Sequence, residues 1–369
     1  MEKVRIGYVG AGYMAQRVHI PNIQVLEECE LLALAEVRPN LGKKAQARFR
    51  IPRLYQSHKE LGADKDIAAA VVSGHFAGQG EIAKDLLLAG KDVFMEKPMA
   101  VSVEQGERIL EAERRSGKRL MVGYMKRFDG GNVLVKEMVG GFLKSGEMGK
   151  IRFVRNHGFC GDWIAGLDTP WEGSDEHVPP PPAVKPAWMP DEFFRGYVGY
   201  LQQYTHNINL VRWFLDAGDR AKVRIVDLDA ADGYSGVVVL DVAGVRAVIE
   251  SGSVAYHAWD EHTQIFFEKG WIRTEAPPLL LRNMPAKVEL CRTDEGRGTA
   301  RTEVFPATGW TWSFKEEMRN FADCVRTGAQ FRSPASDAMV DVRIFEEIYR
   351  MHVESRAAKG GGPVAEKGK

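Results

Sequence analysis

Val4 to Ala15, read as VRIGYVGAGYMA, constrains this chain more than any other stretch. Val4, Ile6 and Val9 make a short apolar strand, and Gly10, Gly12 and Ala15 follow at G-x-G-x-x-A spacing. Gly10 permits a tight turn out of the strand, and Gly12 lets main chain approach a pyrophosphate. Ala15 keeps the next helix close to the sheet, so that its N-terminus faces negative charge. Glycine turns between a strand and a helix are common, so context decides. A second apolar run, Leu31 to Ala35, ends in Glu36, at the spacing expected of the acid that binds an adenosine ribose. Together they predict a dinucleotide site, with Tyr13 and Met14 of the turn beside the cofactor. Glu36 accepts from ribose hydroxyls and repels a 2′-phosphate, which favours NAD. Arg38 suits that phosphate, so NADP stays open; the other reading of Arg38 is a solvated loop charge.

At 369 residues the length suggests two domains. Lysine plus arginine number 50 and aspartate plus glutamate 50, a balance that argues against a general nucleic-acid or membrane-surface binder. Met1 leads straight into the first strand and no apolar run reaches the roughly 20 residues of a membrane span, as expected of a cytoplasmic protein. Cys29, Cys160, Cys291 and Cys324 are scattered, with no C-x-x-C pair, so they read as reduced thiols and no metal site is expected.

Strands and helices alternate up to Gly123. The stretch Asp66 to Ser73 reads as a buried parallel strand, Glu81 to Ala89 as a helix, and Asp92 to Met95 as a strand leading to Glu96-Lys97-Pro98. Helix Val103 to Ser116 and strand Arg119 to Gly123 follow. This alternation predicts a doubly wound parallel sheet over residues 1–123, with ligands at the carboxyl ends of its strands, where Lys97 and Ser73-Gly74-His75 lie. Beyond it, a helix is expected from Tyr124 to about Leu143. Period-two runs near 222–229, 235–241, 244–254, 262–268 and 287–292 predict an α+β domain over 124–358 with a large, mainly antiparallel sheet. The lysine- and glycine-rich tail, 359–369, reads as disordered.

At Glu96-Lys97-Pro98 the chain resembles the glucose–fructose oxidoreductase, inositol dehydrogenase and MocA family (Gfo/Idh/MocA). The likeness also takes in the GAGYMA turn, Ala89-Gly90-Lys91, Gly146 to Ile151, His206 within HNINLVRWFL, Lys269-Gly270-Trp271 and the helix end from Phe321 to Gly328. The resemblance implies an NAD(P)-dependent enzyme that oxidises a sugar or cyclitol hydroxyl or reduces the matching ketone. It carries Lys97 over as the active-site lysine, where an ammonium steadies a developing alkoxide, and His206 as the general acid/base. Glu96 falls with Lys97 on the cofactor side. By family analogy the chain is a homodimer or homotetramer.

Departures from the pattern matter. Gln202 and Asn209 stand where relatives often carry aspartates around the histidine, and Gln202 can bond a hydroxyl but cannot balance an imidazolium. Gln79 stands where a histidine is common, while His75 nearby reads either as a nicotinamide contact or as a helix cap. Tyr124, Lys126 and Arg127 sit at the crossover into the second domain; Arg127, with Tyr124, Gln202 and Gln203, completes the expected substrate contacts. Trp163, Trp171 and Trp188 offer aromatic faces for a sugar or simple packing, and Trp163 is the one assigned to substrate. From Gly161 to Glu192 seven acids face one base, Lys185: either an attraction for a cationic amino sugar or a solvated acidic loop. Two other classes stay open by resemblance, an NAD-dependent glycoside hydrolase and a non-catalytic sensor.

Overall fold

The computed structural model describes residues 2–161, 170–179, 181, 184–253, 259–294, 296–306 and 308–358. The chain divides into two compact units. The first contains Met1–Met125, the described residues between Asp168 and Pro186, and Phe314–Val342; the second contains the remainder. Two segments distant in sequence thus join the N-terminal domain, which the sequence reading placed in the second.

In the first unit, β1 (Val4–Val9) leads through a π-helical turn, Ala15–His19, into α1 (Ile20–Val25). Then come β2 (Cys29–Ala35), α2 (Pro39–Phe49), β3 (Arg53–Tyr55) and α3 (His58–Ala63). After them follow β4 (Ala69–Val72), α4 (Phe76–Leu88), β5 (Asp92–Glu96), α5 (Val103–Ser116) and β6 (Leu120–Gly123). The six strands are all parallel, in the order β3-β2-β1-β4-β5-β6. The order reverses between β1 and β4, and the carboxyl ends on either side of that reversal are where a doubly wound sheet takes its ligand. β4 is short, apolar and wholly buried, as a central strand covered on both faces must be. Local chemistry sets the helix limits. Ser102 Oγ accepts from Gln105 N–H at the start of α5, a cap worth about 1 kcal/mol, and Gly117 closes it in the left-handed region.

β3 and α3 have no counterpart in the sequence reading. α3 nevertheless carries a start signal: Ser57 Oγ accepts from Glu60 N–H, and Glu60 accepts in turn from Gln56 N–H. The expected helix from Tyr124 is broken. A 3₁₀ turn, Met125–Phe128, precedes α6 (Gly130–Ser145), because Asp129 accepts from Gly131 and Asn132 N–H and caps a new helix there.

The second unit continues with β7 (Ile151–Cys160), α7 (Asp191–Phe214), β8 (Ala221–Leu228), β9 (Gly236–Val242), β10 (Val245–Ser253) and β11 (Trp259–Phe267). β12 (Gly270–Glu275), β13 (Lys287–Asp294) and β14 (Thr299–Phe305) complete its sheet. The eight strands run in the order β14-β13-β12-β11-β7-β10-β9-β8, antiparallel except for β7 against β10. β12 and β14 are additions to the strands expected. α8 (Ser313–Thr327) and α9 (Ala335–Ala358) close the chain. Among the described residues no helix is long and apolar enough to cross a membrane, and all four cysteines are free and buried. The tail, 359–369, and Trp163 lie outside the described residues.

Candidate functional site

The glycine turn sits on the reversal point of the parallel sheet. Gly10 has φ +99°, and a Cβ there would lie 2.5 Å from Ser73 O, so the turn is closed to other side chains. A Cβ on Gly12 or on Gly74 would meet nothing within 4 Å. The strand ends are thus pressed together at Gly10 and open at Gly12 and Gly74, a shape that fits a pyrophosphate laid along main chain. Tyr13 and Met14 follow in the turn, and the Ser73 hydroxyl lies 2.6 Å from that of Tyr8. His75 begins α4, its Nδ1 accepting from Ala77 N–H at 3.3 Å; the structure shows the cap.

Glu36 is buried just past β2. Its Oε2 accepts from Ala11 N–H at 2.6 Å, and Arg38 donates to both oxygens, through Nε at 2.7 Å and Nη2 at 3.1 Å. The acid is therefore anchored to the glycine turn on one side and matched by a guanidinium on the other. These residues fit a dinucleotide.

A strap from the acidic loop is drawn into the same unit. Glu172 N–H donates to Gln16 Oε1 at 2.8 Å, while Gln16 Nε2 donates to Glu172 O at 2.9 Å. Trp171 meets Tyr13 edge-on, with ring centroids 5.8 Å apart, and Arg48 donates to Pro170 O. Glu176 accepts from the N–H groups of Asn40 and Leu41 at the start of α2. What desolvation it suffers acts to raise its pKa, but the Asn40 amide, the Ser174 hydroxyl, the Leu41 amide and Arg38 bring it below the usual glutamate value. Glu172 and Glu176 are thus tied into the structure.

Lys97 leaves the carboxyl end of β5 partly exposed, and Lys97-Pro98 is a cis peptide. Burial lowers its ammonium pKa below the ordinary lysine value, with Glu96 opposing the fall. Glu96 points inward: its Oε1 meets His19 Nε2 at 2.8 Å and its Oε2 accepts from Lys97 N–H at 3.1 Å. Gln79 is fully buried, and its Nε2 donates to Glu96 O at 2.9 Å and Pro98 O at 2.8 Å. The main chain of Lys97 is therefore pinned from both flanks. Gln79 and His19 were not read as site residues in the sequence; the only signal was that Gln79 breaks a family pattern. Tyr124 lies in the apolar core of this unit, 2 % exposed.

In the second unit, α7 carries Gln202, Gln203 and buried His206. The helix is fixed to its sheet by polar contacts. Asn207 Nδ2 donates to Asn156 Oδ1 at 2.9 Å and to Glu261 Oε1 at 3.0 Å, and Glu261 pairs with Lys126. Tyr204 OH donates to Gly252 O at 2.8 Å, and Gln203 hydrogen-bonds the Cys160 thiol. Asn209, one turn beyond His206, accepts from Arg127 Nε at 2.6 Å, and the Arg127 guanidinium lies 5.9 Å from the Trp213 ring centroid. Arg127 is thereby sunk into this unit, 3 % exposed. Trp188 donates from Nε1 to Glu346 at 2.8 Å under the Arg350 guanidinium, which is a packing role.

Residues 4–124 match the Gfo/Idh/MocA model, described as an oxidoreductase family with an NAD-binding Rossmann fold. Over that N-terminal stretch the chain matches the Gfo/Idh/MocA family. It is 23% identical over 336 residues to myo-inositol 2-dehydrogenase of Thermotoga maritima, covering 88% of this chain and 89% of that one. Inositol 2-dehydrogenase of Rhizobium meliloti is 21% identical over 362 residues, 96% of this chain and 98% of that one. Among solved structures, a 3-ketoreductase from Actinomadura kijaniata in complex with NADP and TDP-benzene aligns with a TM-score of 0.70 at 20% identity, over 95% of this chain and 98% of that one. Aldose-aldose oxidoreductase from Caulobacter crescentus, complexed with glycerol, gives 0.72 at 20% identity over 96% and 99%. These last two share this chain's fold.

Proposed function

We propose that this chain is an NAD(P)-dependent oxidoreductase acting on a secondary hydroxyl, or the matching ketone, of a sugar, amino sugar or cyclitol. The observation that carries the reading is Lys97, an ammonium of lowered pKa pinned at a strand end of an NAD-binding Rossmann domain. The names of the relatives, inositol dehydrogenases, a ketoreductase and an aldose oxidoreductase, supply the substrate class.

Gly10, Gly12 and Ser73-Gly74-His75 would hold the dinucleotide, with Glu36 on the adenosine ribose. The bound cofactor supplies the acceptor or donor of hydride. Lys97 places positive charge at the reacting oxygen and stabilises it as it becomes alkoxide-like. His206 takes up or returns the hydroxyl proton, a task suited to a ring that titrates near neutrality. Trp163, Gln202 and Gln203 are the proposed substrate contacts; Tyr124 and Arg127, expected there from the sequence, are buried within their own units. NAD is favoured over NADP because Glu36 and Glu176 both put negative charge around the β2–α2 turn, against Arg38.

The test records nicotinamide absorbance with NAD or NADP against a panel of sugars, cyclitols and amino sugars. Growth of reduced cofactor with one compound is expected. Lys97→Ala is expected to lower kcat by about a hundredfold or more while leaving cofactor binding intact. Full turnover in that variant would remove the mechanism. Glycosidic cleavage without net reduced cofactor would move the assignment to the hydrolase class, and a silent panel with tight partner binding to a sensor.

A further inference from the structure

Behind Lys97 lies a polar cluster that the reaction as proposed does not use. One ring nitrogen of His19 and one carboxylate oxygen each of Glu96 and Glu317 lie within 4.8 Å of one another, all three residues buried. They come from the turn before α1, from the end of β5 and from α8. Tyr8 faces them from β1, and the rings of Tyr8, Phe94 and Phe314 surround His19 with centroids at 6.3, 5.5 and 6.1 Å.

The two carboxyl groups are treated differently. Glu96 is served at both oxygens, by His19 Nε2 and by Lys97 N–H. Both oxygens of Glu317 are buried with no hydrogen-bond partner among the described residues, and the side chain is 0% exposed. Two anions this close in a dry, aromatic setting cannot both ionise, and the proton settles on the one without donors. We infer that Glu317 is kept as a neutral carboxylic acid, and that His19 and Glu317 are positioning residues holding Glu96 as the anion that fixes and charges Lys97. Burial, reinforced by Glu96, pushes the Glu317 carboxyl well above the usual range, and burial, opposed by the Ser73 hydrogen bond and reinforced by Glu96, raises the Tyr8 phenol likewise. Glu96 in turn opposes the fall in the Lys97 pKa. A divalent cation held by the same three side chains fits less well, because His19 Nε2 is already directed at Glu96 Oε1. The catalytic meaning of the cluster rests on the role proposed for Lys97; its protonation pattern does not.

Two measurements on the full-length protein test this. The first follows thermal unfolding of wild type and Glu317→Gln from acid to mildly alkaline pH. A neutral Glu317 keeps in the fold a proton that the unfolded chain gives up above the ordinary glutamate pKa. Wild type should therefore lose stability relative to Glu317→Gln as pH rises, and the gap in Tm should widen. A variant less stable than wild type at every pH, or a divalent metal purifying in one-to-one amount, overturns the inference.

The second follows the Lys97 amine by NMR after ¹³C-methylation, with Lys97→Arg giving the assignment. Glu96→Gln and His19→Phe should move its titration to lower pH, whereas Glu317→Gln should leave it in place. A downward move in Glu317→Gln, or none in Glu96→Gln, is the contrary result, and that comparison stands even where His19→Phe does not fold. These readings hold whether or not Lys97→Ala abolishes turnover, so this inference and the proposed function fail separately.

Discussion

Lys97 is proposed from three letters, Glu-Lys-Pro at the end of an apolar run, but the groups packed around it were not read from the sequence. Its ammonium titrates below the ordinary lysine range because burial disfavours the charged form, and Glu96 limits the fall. If the ammonium is the working form, the rate falls as pH rises through that lowered value. The alkaline limb of kcat/KM is therefore expected below the usual lysine pKa, and Glu96→Gln should move it lower still. A limb at or above the ordinary value would separate the charge of Lys97 from catalysis. His19, Gln79 and Glu317 escaped the sequence reading because nothing local marks them: each stands on a different element, and only the folded sheet brings them to Glu96. His206 is proposed through the family pattern, while its neighbour Asn207, which ties α7 to β7, carried no signal of its own.

Among elements, the central parallel strands were readable because they are buried on both faces and apolar throughout. The edge strands were not. β3 is three residues long, and β14 is mostly exposed and polar, so neither shows the alternation that marks a half-buried strand. The strap was read as a solvated acidic loop or an amino-sugar lure, because seven acids in a row of loop residues say nothing about where the loop goes. Its contacts with Gln16, Arg48 and the start of α2 give it a local task. Glu176 places a carboxylate on the α2 N-terminus, within electrostatic reach of Arg38. Glu176→Gln should therefore strengthen NADP binding relative to NAD, by a few-fold, the scale of an exposed charge interaction. Titration of each cofactor by calorimetry reads the ratio; an unchanged ratio would leave Glu36 and Arg38 as the determinants.

For the molecule as a whole, the eight-stranded sheet offers the broad face from which self-association is proposed. Ile225 on β8 is 56% exposed and Val237 on β9 is 36% exposed, and the pairing of those strands puts both on one side. A homodimer or homotetramer is expected by light scattering, and Val237→Glu should shift it toward monomer. A wild-type monomer at all concentrations would end that proposal.

The first unit is also discontinuous along the chain. Arg119 donates to the carbonyls of Cys324 and Ala329, the Ser333 hydroxyl donates to Val122 O, and Met339 and Val342 join the apolar core beneath the parallel sheet. During synthesis the glycine turn and the lysine strand emerge early, yet the helix that carries Glu317 arrives after the whole second sheet. At ribosomal speed that delay is roughly 10 to 40 seconds. For that interval the nascent nucleotide domain has an uncovered flank and lacks the buried acid that faces Glu96, so the half of the protein made first is the half finished last.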